Sequence, residues 1–232
     1  MLKKSHISNI EIYSPDWHKF RLGKATSSRM ASIMGLEGFG RGGETYVYQK
    51  VGEMLTGQSN DKELEFDEDL DWGKMYEHEA IQAFAQKMGI KLLVSQKLIT
   101  DPESQFSSTP DAIWVHGECK LDTTEYNVSS AEGKCPRTYH NFIPKFLCKT
   151  PADLYKVNKN DYWQTIDQMD QCGAAKGYFF CYHPYFPEGK NLNIIEFRKM
   201  ELWDHFLLLS ARKKEFLRRF AELYQQMQDR FA

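Results

Sequence analysis

The sequence lacks any apolar run approaching the roughly 18 residues that span a bilayer, which excludes a helical membrane protein. The opening Met1-Leu2-Lys3-Lys4-Ser5-His6 is not followed by an apolar segment of the signal-peptide kind, so a cytoplasmic location is expected, with no membrane partner. Cysteine is sparse and scattered: Cys119, Cys135, Cys148, Cys172 and Cys181 are five in number and form no Cys-x-x-Cys pair. That excludes a disulfide framework and gives no zinc or iron–sulfur signature, so free thiols are expected. An excess of positive charge is missing too. Thirty Lys and Arg face thirty-two Asp and Glu, a net charge of -2, so any contact with nucleic acid must be local rather than spread over the whole surface. The glycine-rich stretch Gly38 to Gly43 has neither a Gly-Lys-Ser/Thr ending nor a preceding strand. It reads as a flexible surface connection and not as a phosphate-binding loop. No internal repeat is visible.

What remains is a folded composition. With 232 residues, 41% of them hydrophobic and 27% charged, the chain can bury one sizeable core, and a single domain over 1–232 is expected. Thr26-Ser27-Ser28 reads as the cap of a short helix ending at Gly35, and Glu44 to Thr56 as a helix stopped by Gly57. Gln58 to Asp69 reads as a loop. From about Asp71 to Met88 the apolar positions Ala80, Ile81, Phe84 and Met88 recur at helical spacing. Glu77 falls on that same stripe, whereas Glu79 does not. A carboxylate on a buried face is costly unless hydrogen-bonded, paired or bound to metal, which singles out Glu77.

Lys91 to Thr100, Phe106 to Val115 and Asn127 to Cys135 read as extended segments, separated by a turn at Asp101 to Ser104 and a polar loop from His116 to Tyr126. Pro136, Pro144 and Pro151 restrict the following helices to short lengths. Asn160 or Asp161 would cap a helix running to about Ala175. The strands Tyr178 to Tyr182 and Leu192 to Phe197 should pair as a hairpin, and a long amphipathic helix from Glu201 closes the chain. Two basic regions stand out. One runs from Lys134 to Lys159, interleaved with aromatics; the other, Arg212-Lys213-Lys214, reads as a solvated helix face.

Three motifs carry chemistry: Thr109-Pro110-Asp111 before the apolar run Ala112-Ile113-Trp114-Val115, Glu132-Gly133-Lys134, and Trp72-Gly73-Lys74-Met75-Tyr76-Glu77. On a strand the period of two puts Glu132 and Lys134 on one face with the Gly133 carbonyl between them. Phosphodiester hydrolysis needs an activated water, stabilisation of a highly charged transition state and neutralisation of the leaving oxygen, all of which Mg²⁺ can supply. Asp111, Glu132, Glu77 and the Gly133 carbonyl would offer such a hard cation its oxygen ligands. Lys134 would orient the attacking water or offset developing charge. A Glu-x-Lys pair alone is most often an ion pair on a sheet; the conjunction of all three motifs is what points to a nuclease.

On those motifs, together with Trp17 to Ser28, Glu132 to Pro136, Tyr162-Trp163-Gln164 and Tyr178 to Pro184, the chain resembles the YqaJ-like viral recombinases typified by phage lambda exonuclease, within the PD-(D/E)-x-K nuclease superfamily. The resemblance implies an α/β fold with a restriction-endonuclease-like core, a central mixed β-sheet flanked by helices. It implies Asp111, Glu132, Gly133 and Glu77 as metal ligands and Lys134 as the catalytic lysine. Arg21 and Ser28 match the positions that grip a terminal 5′-phosphate. Thr109, Gln164 and Gln168 are expected along the DNA path. Alone, Gln164 and Gln168 read as solvated surface; the family carries a glutamine-rich helix here, from which this chain departs with Ile166. Implied further are Mg²⁺ with Mn²⁺ as a substitute, 5′-to-3′ degradation of linear duplex ends leaving 3′ overhangs, a ring-shaped homotrimer, and a single-strand annealing protein as partner. The host compartment would be the bacterial cytoplasm. Two alternatives stay open at this point: an endonuclease or single-strand exonuclease on the same core, and a DNA-binding scaffold without catalysis.

Overall fold

The computed structural model describes residues 6–35, 38–59, 68–91, 94–100, 104–115 and 128–231. The expected loop from His116 to Tyr126, the first three residues of the turn at Asp101 and most of the loop after Gln58 lie outside them. In chain order come β1 (His6–Ile7), α1 (Pro15–Arg21), β2 (Ala25–Thr26), a 3₁₀ helix (Ser27–Ile33), α2 (Gly40–Thr56), α3 (Glu68–Met88), β3 (Val94–Ser95), β4 (Ile99–Thr100), β5 (Phe106–Ser108), β6 (Ala112–Val115), β7 (Val128–Lys134), α4 (Tyr139–Phe146), α5 (Pro151–Val157), α6 (Lys159–Cys172), β8 (Lys176–Tyr182), β9 (Leu192–Arg198) and α7 (Trp203–Phe231).

The strands form two sheets. The larger has the order β3-β6-β7-β8-β9 and is mixed, because β7 and β8 run parallel while the other pairs are antiparallel. The smaller has the order β1-β4-β5-β2, with β5 and β2 parallel. Lys91 to Thr100 and Phe106 to Val115, each expected as one extended segment, are in fact divided between the sheets. The second breaks at Thr109-Pro110-Asp111, where proline cannot donate to a ladder and the chain leaves one sheet for the other.

Alternation along β8 explains the layering. Tyr178, Phe180 and Tyr182 pack with Ala80, Ile81 and Phe84 of α3. Phe179 and Cys181 face the opposite core, with Tyr162, Ile166 and Met169 of α6 and Phe206, Leu209, Phe216 and Phe220 of α7. The sheet is therefore covered by helices on both faces, the α/β architecture expected. On β7, Ala131 joins the α3 side, so Glu132 and Lys134 point toward α6.

Local chemistry sets most helix ends. Ser14 accepts from the Trp17 N–H at 3.2 Å with Pro15 in the first turn, Thr150 and Asp153 form a capping box, and Gly173 ends α6 at φ 66°. Three expectations need correction. Gly38 to Gly43 is not simply a connection, since α2 begins at Gly40 and draws Gly42 and Gly43 into its first turn, where Gly43 lies against the Phe39 ring. Nor does Asn160 or Asp161 cap α6: the cap is Asn158, whose side chain accepts from the Asp161 N–H at 3.0 Å. Likewise α3 starts at Glu68, because the acidic residues Glu68, Asp69 and Asp71 suit the positive end of a helix dipole.

Gly133 is fixed by packing. A Cβ there would overlap the Phe180 ring, which is stacked on Phe84 at 4.7 Å and has nowhere to move. Gly133→Ala is expected to cost about 1–3 kcal/mol, whereas Gly52→Ala, in open space on α2, should gain about 0.5–1 kcal/mol. Urea unfolding midpoints of the two variants check the contrast; equal shifts would contradict it.

Candidate active site

The break after β5 places Asp111 at the start of β6, just beyond the last pair of the β6–β7 ladder, Ala112 with Ala131. Its Oδ2 accepts the Gly133 N–H at 2.6 Å, so the loop carboxylate is tied to the middle of the Glu132-Gly133-Lys134 motif. From the other face of β7, Glu132 meets α6. Its Oε1 accepts from Lys134 Nζ at 2.5 Å and from Gln164 Nε2 at 2.6 Å, and its Oε2 accepts from Gln168 Nε2 at 2.5 Å. Lys134 Nζ also donates to Gln164 Oε1 at 3.3 Å. Glu77 arrives from α3, one turn before buried Ala80 and Ile81, and its Oε2 accepts from Gln96 Nε2 at 2.5 Å. Glu77, Asp111, Glu132, Gly133 and Lys134 all line one cavity of about 640 Å³.

Charge is crowded here. Burial pushes the Asp111 carboxyl well above the ordinary carboxylate range, and the neighbouring charges of Glu132 and Glu77 add to the shift. Glu77 is also raised, chiefly by burial, while its hydrogen bond to Asp111 and the Lys134 charge pull the other way. For Lys134, desolvation favours the neutral amine, but the attraction of Glu132, Asp161 and Asp111 prevails and the ammonium is held. Tyr13, on the cavity wall, is pushed up to about 12 by burial and by Glu77. Cys135 rises to about 12 for the same two reasons, with Asp111 ahead of Glu77, and is not a poised nucleophile.

The donor set suits a hard divalent cation: carboxylate oxygens and a carbonyl, with no imidazole or sulfur among the ligands expected. Among the described residues no three His, Cys, Asp or Glu side chains are gathered as a closed ligand set. Glu132 has both oxygens engaged by Lys134 and the two glutamines, while Glu77 and Asp111 share a hydrogen bond. The repulsion of Glu132 and Glu77 that helps raise Asp111 is what a bound cation would offset, and on that ground the residues fit a metal.

The same cavity is also lined by Arg21, Thr26, Ser28 and Thr109. The Arg21 guanidinium lies 3.9 Å over the Trp17 ring. Ser28 Oγ is 3.2 Å from Thr26 Oγ1, and the Thr26 N–H donates to Tyr46 Oη at 2.9 Å. Thr26 occupies the cap position of the 3₁₀ helix without a side-chain capping bond, so the expected ordinary cap is not what its hydroxyl provides. The turn that carries Arg21 into this wall passes through Gly23 at φ 72°, whose N–H donates to Glu53 Oε2 at 3.1 Å, and Glu53 is neutralised by Lys50 at 2.8 Å.

Every residue singled out from the sequence therefore lies in or directly behind one cavity. The surface reading of the glutamines is overturned for Gln168, which is buried and reaches Glu132, and Ile166 between them is wholly buried in the core. Three contributors escaped sequence reasoning. Gln96, which holds Glu77, stands at φ 51°, a backbone state no pattern announced. Tyr13 precedes the recognisable motifs. Asp161, placed as a cap, instead pairs with Lys145 at 2.5 Å, and Lys145 lines the cavity beside Asn141 and Asn158.

The fold is similar to that of an alkaline exonuclease from Laribacter hongkongensis, with a TM-score of 0.69 and 19% identity over 94% of this chain and 97% of that one. The complex of that exonuclease with dAMP gives 0.70 over the same shares. A phage-related exonuclease from Haemophilus somnus 129PT is similar at 0.61 and 15% identity, over 88% and 96% of the two chains. No curated protein matches the sequence. Residues 16–169, which carry Arg21, Ser28, Glu77, Thr109, Asp111, Glu132, Lys134, Gln164 and Gln168, match the family model of the YqaJ-like viral recombinase domain, and the chain belongs to that family.

Proposed function

We propose that the chain is a metal-dependent deoxyribonuclease that degrades one strand of linear duplex DNA from a 5′-phosphorylated end, leaving a 3′ overhang for phage-type recombination. The observation that carries this reading is the single cavity lined both by the Glu77, Asp111, Glu132 and Lys134 cluster and by Arg21 and Ser28. The exonuclease names of its structural relatives support the same reaction class.

When bound by Asp111, Glu132, the Gly133 carbonyl and Glu77, Mg²⁺, or Mn²⁺ in its place, supplies Lewis acidity and lowers the pKa of a ligated water. The rest falls to side chains. Lys134, anchored to Glu132, directs an ammonium at the attacking water and the phosphoryl oxygens, where it offsets charge that grows in the transition state. Gln164 and Gln168 hold Glu132 in one rotamer, as outer-shell donors commonly do for ligating carboxylates. Arg21, stacked on Trp17, presents its planar fork to a terminal phosphate, which it can engage bidentately, with Ser28 and Thr109 beside it. Anchoring that end sets polarity, since the scissile bond then lies a fixed distance inward.

In this reading residues 1–232 form one nuclease domain acting as a homotrimer around duplex DNA. A ring reconciles a net charge of -2 with DNA binding, because only its channel need be basic. An annealing protein would receive the exposed single strand. Among the described residues no helix is long and apolar enough to cross a membrane, and action in the bacterial cytoplasm completes the proposal.

Digestion of linear 5′-phosphorylated, linear 5′-hydroxyl and closed-circular duplexes tests it. Mg²⁺-dependent loss of the phosphorylated linear substrate is expected, and Lys134→Ala should lower kcat by about 10²–10⁴-fold. Arg21→Ala should slow phosphorylated ends and leave hydroxyl ends nearly untouched. Cutting of the circle would make the enzyme an endonuclease. Metal binding has its own readout: at about a hundredfold excess over Kd, Mg²⁺ should stabilise the fold by about 2.7 kcal/mol in thermal unfolding, an effect absent in Asp111→Asn.

A further inference from the structure

Lys213 belongs to the run Arg212-Lys213-Lys214, which the sequence marks as a solvated face of the last helix. The structure turns it inward. Its side chain is 12% exposed, with Nζ 2.5 Å from Asp167 Oδ1 and donating to Asp170 Oδ2 at 2.7 Å. Asp167 is wholly buried, and its second oxygen, Oδ2, accepts from Ser27 Oγ at 2.6 Å and from Gln171 Nε2 at 2.7 Å. Gln171 Nε2 also donates to Ser27 Oγ at 3.2 Å. One carboxylate thus joins α7, α6 and the 3₁₀ helix at a point the proposed hydrolysis does not use.

A buried ion pair is weak evidence of stability, since apolar residues of similar volume often do as well. Its placement is more informative. Ser27, gripped by Asp167, stands between Thr26 and Ser28 on the cavity lining, while Gln168, next to Asp167 on α6, is bonded to Glu132, which lines the same cavity. The lining segment around Ser27 and the lining residue Glu132 are therefore tied to adjacent residues of a single helix. Lys213, outside the residues that match the family model, keeps that junction charged and in register. Its ammonium is favoured by Asp167 and Asp170 against the cost of burial.

We propose that Asp167, Lys213 and Ser27 form a positioning network that sets the spacing between the Arg21–Ser28 wall and the Glu132 wall, so that a terminal 5′-phosphate and the scissile bond are held in register. It rests on the end-anchored reading above. A misplacement of about 1 Å can cost up to about 100-fold in rate, and here the loss falls on end discrimination rather than on the hydrolytic groups. Lys213→Arg keeps the charge and the tie to Asp167; Lys213→Met and Ser27→Ala remove it from either end.

The test measures kcat and KM for duplexes with 5′-phosphate and 5′-hydroxyl ends, with Tm alongside. Ser27→Ala and Lys213→Met are each expected to lower the phosphate-to-hydroxyl ratio of kcat/KM by about tenfold, mainly through KM for phosphorylated ends, with hydroxyl ends cut at the wild-type rate. Lys213→Arg should retain most of the ratio. If both end types slow together in step with a falling Tm, the network serves packing alone and the inference is overturned. A Ser27→Ala enzyme with an unchanged ratio, beside a wild type that prefers phosphate, also overturns it. A wild type indifferent to the phosphate instead defeats the end-anchored reading, and this inference with it.

Discussion

Buried like charges repel, and the surroundings of Asp111 are arranged to answer that repulsion. Three carboxylates line one cavity, with Lys134 paired to Glu132. Each carboxylate also has a donor: the Gly133 N–H for Asp111, Gln96 for Glu77, Gln164 and Gln168 for Glu132. Donors of this kind hold carboxylates in place without neutralising them. The site therefore keeps an unspent affinity for positive charge, which is the property a metal-dependent hydrolase requires.

The two sheets divide the work, and the chain passes between them at Pro110. The smaller sheet carries β2 directly into the 3₁₀ helix, with Thr26 in register with Ser107. Four residues after Ser107 the chain has changed sheets and become Asp111. The 3₁₀ helix and the Asp111 carboxylate are thus coupled through a short covalent link as well as through α6. Rigid elements supply both walls, so little of the geometry depends on a loop finding its place.

How far the sequence reveals this depends on whether a residue's neighbours are local. Glu77 is legible because helical spacing sets it on the same stripe as Ala80, Ile81 and Phe84, all buried as that stripe requires. Glu132 and Lys134 are legible because a strand repeats every two residues. Asp167, Gln168 and Lys213 are not, since a polar residue with a distant partner has the same local pattern as one that faces water. Their burial is made tolerable by groups as far away in sequence as Ser27. Gln96 and the early start of α2 at Gly40 escape for a related reason: tertiary packing outweighed the local preference of the backbone.

The parallel pairing of β7 with β8 carries a consequence for the order of assembly. Such neighbours cannot be joined by a hairpin, and here all of α4, α5 and α6 lies between them. The strand bearing Glu132 and Lys134 has β6 at its edge and α3 on one face, but lacks its second strand neighbour until that whole crossover has been synthesised and folded back. The glutamines that steady Glu132 come with the crossover. The acidic cluster is thus complete in sequence before the donors that steady Glu132 have been made, and its final arrangement waits on the folding of that crossover.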